Sequence, residues 1–194
     1  ADELLLPWPD PDASLSDHLL ADRSAVRAPL FFNIVPHPHY PAIDWTRPLL
    51  PQARGLSLAP RLCNPCVFYE RPRLRGRHHM LGAPHRLDPG LLAFHLKYLD
   101  LALMGPHYEG LKGEIAAIRA AEGSDGPKLK GWSKGTNQMI EWTRAMSRHP
   151  TGPMPDIALA AGHVGIEATG RGFRALGDHP REVWTIPDTL SQRL

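Results

Sequence analysis

A chain of 194 residues is long enough to enclose one domain with a sizeable core. Its 22 Lys and Arg against 20 Asp and Glu leave a formal charge of +2, so no global field draws it to nucleic acid or to a membrane surface. The only two cysteines, Cys63 and Cys66, lie too close together to staple a fold, which excludes a disulfide scaffold and fits a reducing, cytoplasmic compartment.

No apolar run in the visible chain approaches the roughly 18 residues that span a bilayer. The 21 prolines and 17 glycines call for many irregular connections and short elements. The chain opens "ADELLLPWPD", with adjacent carboxylates ahead of an apolar run and no initiator Met. It reads as the interior of something longer, entered just after a buried strand. Asp2 and Glu3 would then lie at that strand's C-terminal end, where open α/β sheets hold their ligands. Carboxylates there can hold a divalent cation, and the cation can grip a diphosphate.

In "DASLSDHLLADR", Ser14 with Asp17 three places on makes a variant capping box, which predicts a short helix carrying Leu15 and Leu19 on one side. "PLFFNIV" (29–35) is a compact apolar run bounded by prolines and reads as a buried strand. Pro36, Pro38, Pro41, Pro48, Pro51 and Pro60 then remove backbone donors at short intervals, so 36–61 reads as a loop. "CVFY" (66–69) is a second strand candidate.

The stretch "DPGLLAFHLKYLDLALMG" (88–105) predicts a helix, with Asp88 as cap, Pro89 at the first position and Gly105-Pro106 as the stop. Leu92, Leu96, Leu99 and Leu103 form one stripe and other apolar residues cover most of the remaining surface, the pattern of a buried helix. Two amphipathic helices follow, one spacing Leu111, Ile115 and Ile118, the other Met139, Trp142 and Met146. Beyond Pro150 glycines recur without a sustained period, and only "EVWTI" reads as a strand.

Cys63, Cys66, His79 and His85 spell C-x2-C-x12-H-x5-H, a permitted zinc-finger spacing. The offsets that should hold a packing aromatic and leucine hold Glu70 and Gly76, however, and Gly82 and Pro84 interrupt the helix that should carry both histidines. Structural cysteines beside a strand fit these residues better. His37 and His39 would share one face of an extended chain, but in a proline-rich loop they read as solvated. His95, at the edge of the leucine stripe, reads by itself as a satisfied core residue.

Taken in order, "ADELLLP" with "SLSDHL" after it, "RHHMLG", "LLAFHLKYLD" and "HYEG" resemble bacterial family 2 glycosyltransferases of the GT-A fold. That family carries an acidic motif near D-A-D-E-L, a short helix, a central strand, a T-H-M-like segment and a helix opening L-x-H-x-K-F/Y. The resemblance covers roughly residues 1–110, and weakly "WSKGTNQMIEW" beyond. It implies an incomplete α/β, Rossmann-like GT-A domain lacking its N-terminal nucleotide-binding half. Residues 1–122 would be the C-terminal half of the catalytic domain, and 123–194 a helical extension with a poorly ordered Gly/Pro-rich tail.

The implied activity is inverting transfer of a sugar from a nucleotide-diphosphate sugar to a glycan or other acceptor hydroxyl. Mg²⁺ or Mn²⁺ would be held by Asp2, Glu3 and His79, and the donor by His79, His95 and Lys97. No counterpart of the catalytic base is evident, and Glu70, Asp44 and Asp88 all remain open for it. The segment alone would bind donor poorly, since phosphate cradling comes from the half it lacks. Two other readings stand beside this one: a small zinc-binding interaction module on Cys63, Cys66 and histidines, and an inactive truncated reading frame.

Overall fold

The structure, a computed structural model, describes residues 3–23, 26–36, 43–63, 66–67, 73–74, 80–81, 85–96 and 99, scattered positions between 106 and 120, then 136–169 and 172–191. Its strands are β1 (Glu3–Pro7), β2 (Arg27–Pro36), β3 (Ala53–Leu58), β4 (Arg73–Leu74), β5 (Met80–Leu81), β6 (Arg86–His95), β7 (Thr151–Gly152), β8 (Gly165–Thr169), β9 (Gly172–Leu176) and β10 (Val183–Trp184). Its helices are α1 (Leu15–Leu20), α2 (Thr136–Met146), α3 (Ile157–Ala161) and α4 (Asp188–Ser191), and the described positions between 106 and 120 are helical too.

The fold is mixed α/β. One sheet has six strands in the order β1-β6-β2-β3-β10-β7, and a smaller one has the order β4-β5-β9-β8.

The run "PLFFNIV" forms the predicted strand, and β2 is buried at every residue. A continuous apolar run belongs where both faces are covered, and β2 lies between β6, parallel to it, and β3, antiparallel. On one face Phe32 stacks on Phe94 and meets Trp184 edge-on, each at 6.0 Å between ring centres. Leu30, Ile34, Leu56, Leu58 and Leu92 join this main core, with Ile157 and Ala160 of α3 and Leu190 of α4.

The largest departure from the sequence reading is at 88–95, predicted as the first part of a buried helix over 88–105 and found within the strand β6. An apolar run without polar punctuation suits a buried helix or a strand covered on both faces equally well. Here β1 and β2 each present a pairing edge, and β6 fills the gap between them. The presumed cap and first turn do something else. Pairing skips from Pro29↔Asp88 to Leu30↔Leu92, so residues 89–91 bulge out of the β2 ladder. The Gly90 N–H donates to Asp88 Oδ1 at 3.0 Å, and the Gly90 carbonyl accepts from the Trp8 N–H at 2.9 Å.

The predicted loop 36–61 also contains a strand, β3, set between Pro51 and Pro60. The prolines bound it rather than interrupt it, and alternation in "GLSL" was the signal. Residues beyond Pro150, read as a poorly ordered tail, supply β7 and β10 to the large sheet and Val183, Trp184 and Leu190 to buried clusters. The predicted strand "EVWTI" is realised at Val183–Trp184. Of "CVFY", Val67 makes an isolated bridge to Arg27, and 68–69 lie outside the described residues.

The predicted short helix is α1, with Ser14 Oγ accepting the Asp17 N–H at 3.2 Å. Because α1 buries no residue, its cap carries more of its stability than packing does. Ser14→Ala is expected to cost about 1 kcal/mol in urea unfolding, with Ser14→Asp close to neutral. On α2, Met146 packs against Val35 and Val183, while Trp142 stays partly exposed and meets the His179 ring edge-on at 6.4 Å. No helix among the described residues is long and apolar enough to cross a membrane.

Candidate functional site

Side chains alternate across a sheet, so the face opposite the Phe32 core is lined by residues one position out of step. There the register brings four polar residues from four adjacent strands into one transverse row. Glu3 of β1 faces His95 of β6, His95 faces Asn33 of β2, and Asn33 faces Ser57 of β3. Directly opposed residues of an antiparallel pair have Cβ atoms roughly 5 Å apart on the same face, so Glu3 and His95 are neighbours.

The row grades from dry to wet. Ser57, Asn33 and His95 are buried, and Glu3, on the outermost strand of the sheet, is exposed. His95 Nδ1 lies 3.2 Å from Asn33 Oδ1, and the Phe31 ring meets the imidazole edge-on at 5.6 Å. His95 is therefore a satisfied residue, as its sequence context suggested, yet it stands beside a carboxylate at a sheet end. That end is where the parallel strands β2 and β6 finish, the position at which α/β sheets bind ligands.

The strand expected to end at Asp2 and Glu3 would lie ahead of the given sequence, and within it Glu3 is the first residue of β1. Since β1 runs antiparallel to β6, its start coincides with the finish of β6, and the carboxylate reaches the expected sheet end by the opposite route. Asp2, His79, Lys97, Glu70, His37 and His39 lie outside the described residues. Among the described residues no three His, Cys, Asp or Glu side chains are grouped as metal ligands. Of the residues that the resemblance names for a divalent cation, Asp2, Glu3 and His79, only Glu3 is described, and a carboxylate is a donor that suits Mg²⁺ or Mn²⁺.

Asn33 and Ser57 were missed. The signal for Asn33 was present, since a lone amide inside "LFFNIV" is poorly suited to a strand unless something pairs with it.

Two of the three carboxylates considered as a base are engaged elsewhere. Asp88 accepts from Arg27 Nη1 at 2.8 Å and lies 3.1 Å from His18 Nε2, an arrangement that ties α1 to β2 and β6. Asp44 Oδ1 accepts from the Thr46 hydroxyl at 2.6 Å and the Thr46 N–H at 3.0 Å. These bonds favour the carboxylate and hold the Asp44 pKa below its ordinary value, which weakens it as a base.

Cys63 is wholly buried, its Sγ accepting the Phe31 N–H at 3.3 Å, and desolvation pushes the thiol up to about 12. A thiol held protonated so far above neutrality is a packing group, in line with the structural reading of this cysteine.

His85 is 4% exposed, neither ring nitrogen has a hydrogen-bond partner, and desolvation lowers its pKa. The unfolded chain takes up a proton here near the ordinary value of 6.5, while the folded chain resists until lower pH. Between those two values the unfolded state holds more protons, so stability falls as the solution is acidified below 6.5. His85→Leu is expected to flatten that acid limb in chemical denaturation followed from neutral pH downward.

Comparison of the chain with family models, with curated proteins and with solved structures finds no match.

Proposed function

We propose that this chain is the metal- and acceptor-side part of a family 2 glycosyltransferase of GT-A type, transferring a sugar from a nucleotide-diphosphate sugar to an acceptor hydroxyl with inversion. The observation that carries the reading is the pairing of Glu3 with His95 across β1 and β6, at the sheet end where β2 and β6 finish. Two residues 92 positions apart, each singled out by resemblance to a separate family motif, are thereby neighbours. In this reading Asp2, Glu3 and His79 hold the divalent cation, and His79, His95 and Lys97 meet the donor. The bound ion would neutralise charge building on the departing diphosphate.

The protein's own contribution is a half-dry polar row. Buried Asn33 holds His95 from behind, with buried Ser57 next in register, and exposed Glu3 opens the row to solvent at the β1 edge. Lys97 would add a point charge for phosphate.

The test is nucleoside diphosphate release by the purified gene product from UDP-, GDP- and dTDP-sugars, with Mn²⁺ or with EDTA. Expected is Mn²⁺-dependent turnover that falls about 100- to 1,000-fold in Asp2→Ala, the range found when one group that stabilises developing charge is removed. Equal rates in EDTA and in Asp2→Ala would remove the metal-assisted assignment.

A further inference from the structure

His95 is the buried centre of the polar row, and what it can do depends on which ring nitrogen carries the proton. Its Nδ1 lies 3.2 Å from Asn33 Oδ1. An amide oxygen can only accept, so this contact is a hydrogen bond only when the proton sits on Nδ1. The other nitrogen, Nε2, is then the basic one, able to take a proton or donate its lone pair to a cation.

We infer that Asn33 is a positioning residue: it accepts the Nδ1 proton of His95 and thereby locks the imidazole in the tautomer whose Nε2 is basic. Three features make Asn33 suited to this. It lies on β2, which is buried along its whole length, and its backbone is held by neighbours on both sides. It is 1% exposed, so water does not compete for its oxygen. Phe31, two residues earlier on the same face, places its ring against the imidazole at an interplanar angle of 73°, limiting rotation about the Cβ–Cγ bond of His95.

Outer partners of this kind fix a histidine's tautomer and raise the basicity of its other nitrogen. The presence of one uncharged amide in the otherwise apolar run 29–35 follows from that task. A carboxylate at the same place would hold a second proton on the ring, and an aliphatic residue would leave the tautomer to chance. The tautomer rests on the geometry alone; only what Nε2 meets rests on the glycosyltransferase reading.

The experiment is a long-range ¹H–¹⁵N spectrum of the imidazoles in the ¹⁵N-labelled chain, with His95→Gln to assign the signals. Expected is a neutral His95 with its proton on Nδ1. Asn33→Leu should lose that preference and move the proton population toward Nε2. Asn33→Asp, which keeps an acceptor oxygen in place, should retain the Nδ1 proton. It is the informative variant if the leucine substitution unfolds the chain.

A wild-type spectrum showing the proton on Nε2, or an Asn33→Asp spectrum in which Nδ1 has lost its proton, would overturn the inference. Adding Mn²⁺ alone to the wild-type sample separates the two readings. Failure of Mn²⁺ to broaden the His95 signals would count against the metal-assisted transfer and leave the tautomer result standing.

Discussion

Replacing Arg27 with alanine should lower the unfolding free energy by about 3–5 kcal/mol, the range for removing one partner of a buried ion pair. Arg27 is 3% exposed, and its guanidinium donates to Asp88 at 2.8 Å and to the Leu19 carbonyl at 2.7 Å. Its backbone meanwhile pairs with Val67 and accepts from the Cys66 N–H. One side chain thus joins the end of α1, the start of β2 and the bulge of β6. Alanine would leave the Asp88 carboxylate with His18 and the Gly90 N–H, and would take the guanidinium away from the Leu19 carbonyl.

Urea unfolding of Arg27→Ala, Asp88→Asn and the double variant measures the coupling directly. The double variant should recover part of the loss, because asparagine still accepts from Gly90 without a buried charge left over. A single-variant cost below about 1 kcal/mol would show the pair to be no stronger than an exposed one.

Phe32→Ala is expected to cost about 3–5 kcal/mol for a different reason, the loss of transfer energy plus the cavity left behind. Phe32 is wholly buried between Phe94 and Trp184, both held by the same rigid sheet. Because β2 and β6 are laddered together and Trp184 is paired through β10 to β3, these rings cannot close over the void. Phe32→Leu, which refills most of the space, should cost distinctly less in the same denaturation series. Equal costs for the two substitutions would mean that the site collapses freely and that the stacked rings contribute little. His95 lies on the opposite face, so Phe32→Leu should leave its Nδ1 proton where it is in the wild-type chain.

The amino-acid order was informative wherever a feature depends on a few adjacent residues. Ser14 and Asp17 announce α1, because a cap is a contact between residues three apart. "PLFFNIV" announces a fully buried strand, because nothing in it tolerates water except Asn33. Met146 announces the inward face of α2, although Trp142 on the same predicted stripe turns out to lie at its rim.

At 88–95 the same logic fails for a physical reason. A run apolar on all sides has no period to distinguish a buried helix from a buried strand, and a plausible cap at Asp88 tilts the local reading toward helix. What decides is hydrogen bonding that the run cannot supply itself: β1 and β2 leave backbone groups that must be paired in the core, and β6 pairs them. Tertiary structure likewise put Asp88 on Arg27, far away in the chain, whereas the Asp44–Thr46 contact is local, between residues two apart.

The site shows the division most clearly. Glu3 and His95 could be named from short motifs, but their adjacency is a matter of register between strands that are distant in sequence, and no local pattern encodes it. Asn33 was visible as an oddity in an apolar strand, and its purpose became readable only once β6 had placed an imidazole 3.2 Å away. Local chemistry determined which residues are unusual; the pairing of β1, β6, β2 and β3 alone determined that they stand in one row, because cross-strand register is set by the whole sheet and not by any one strand.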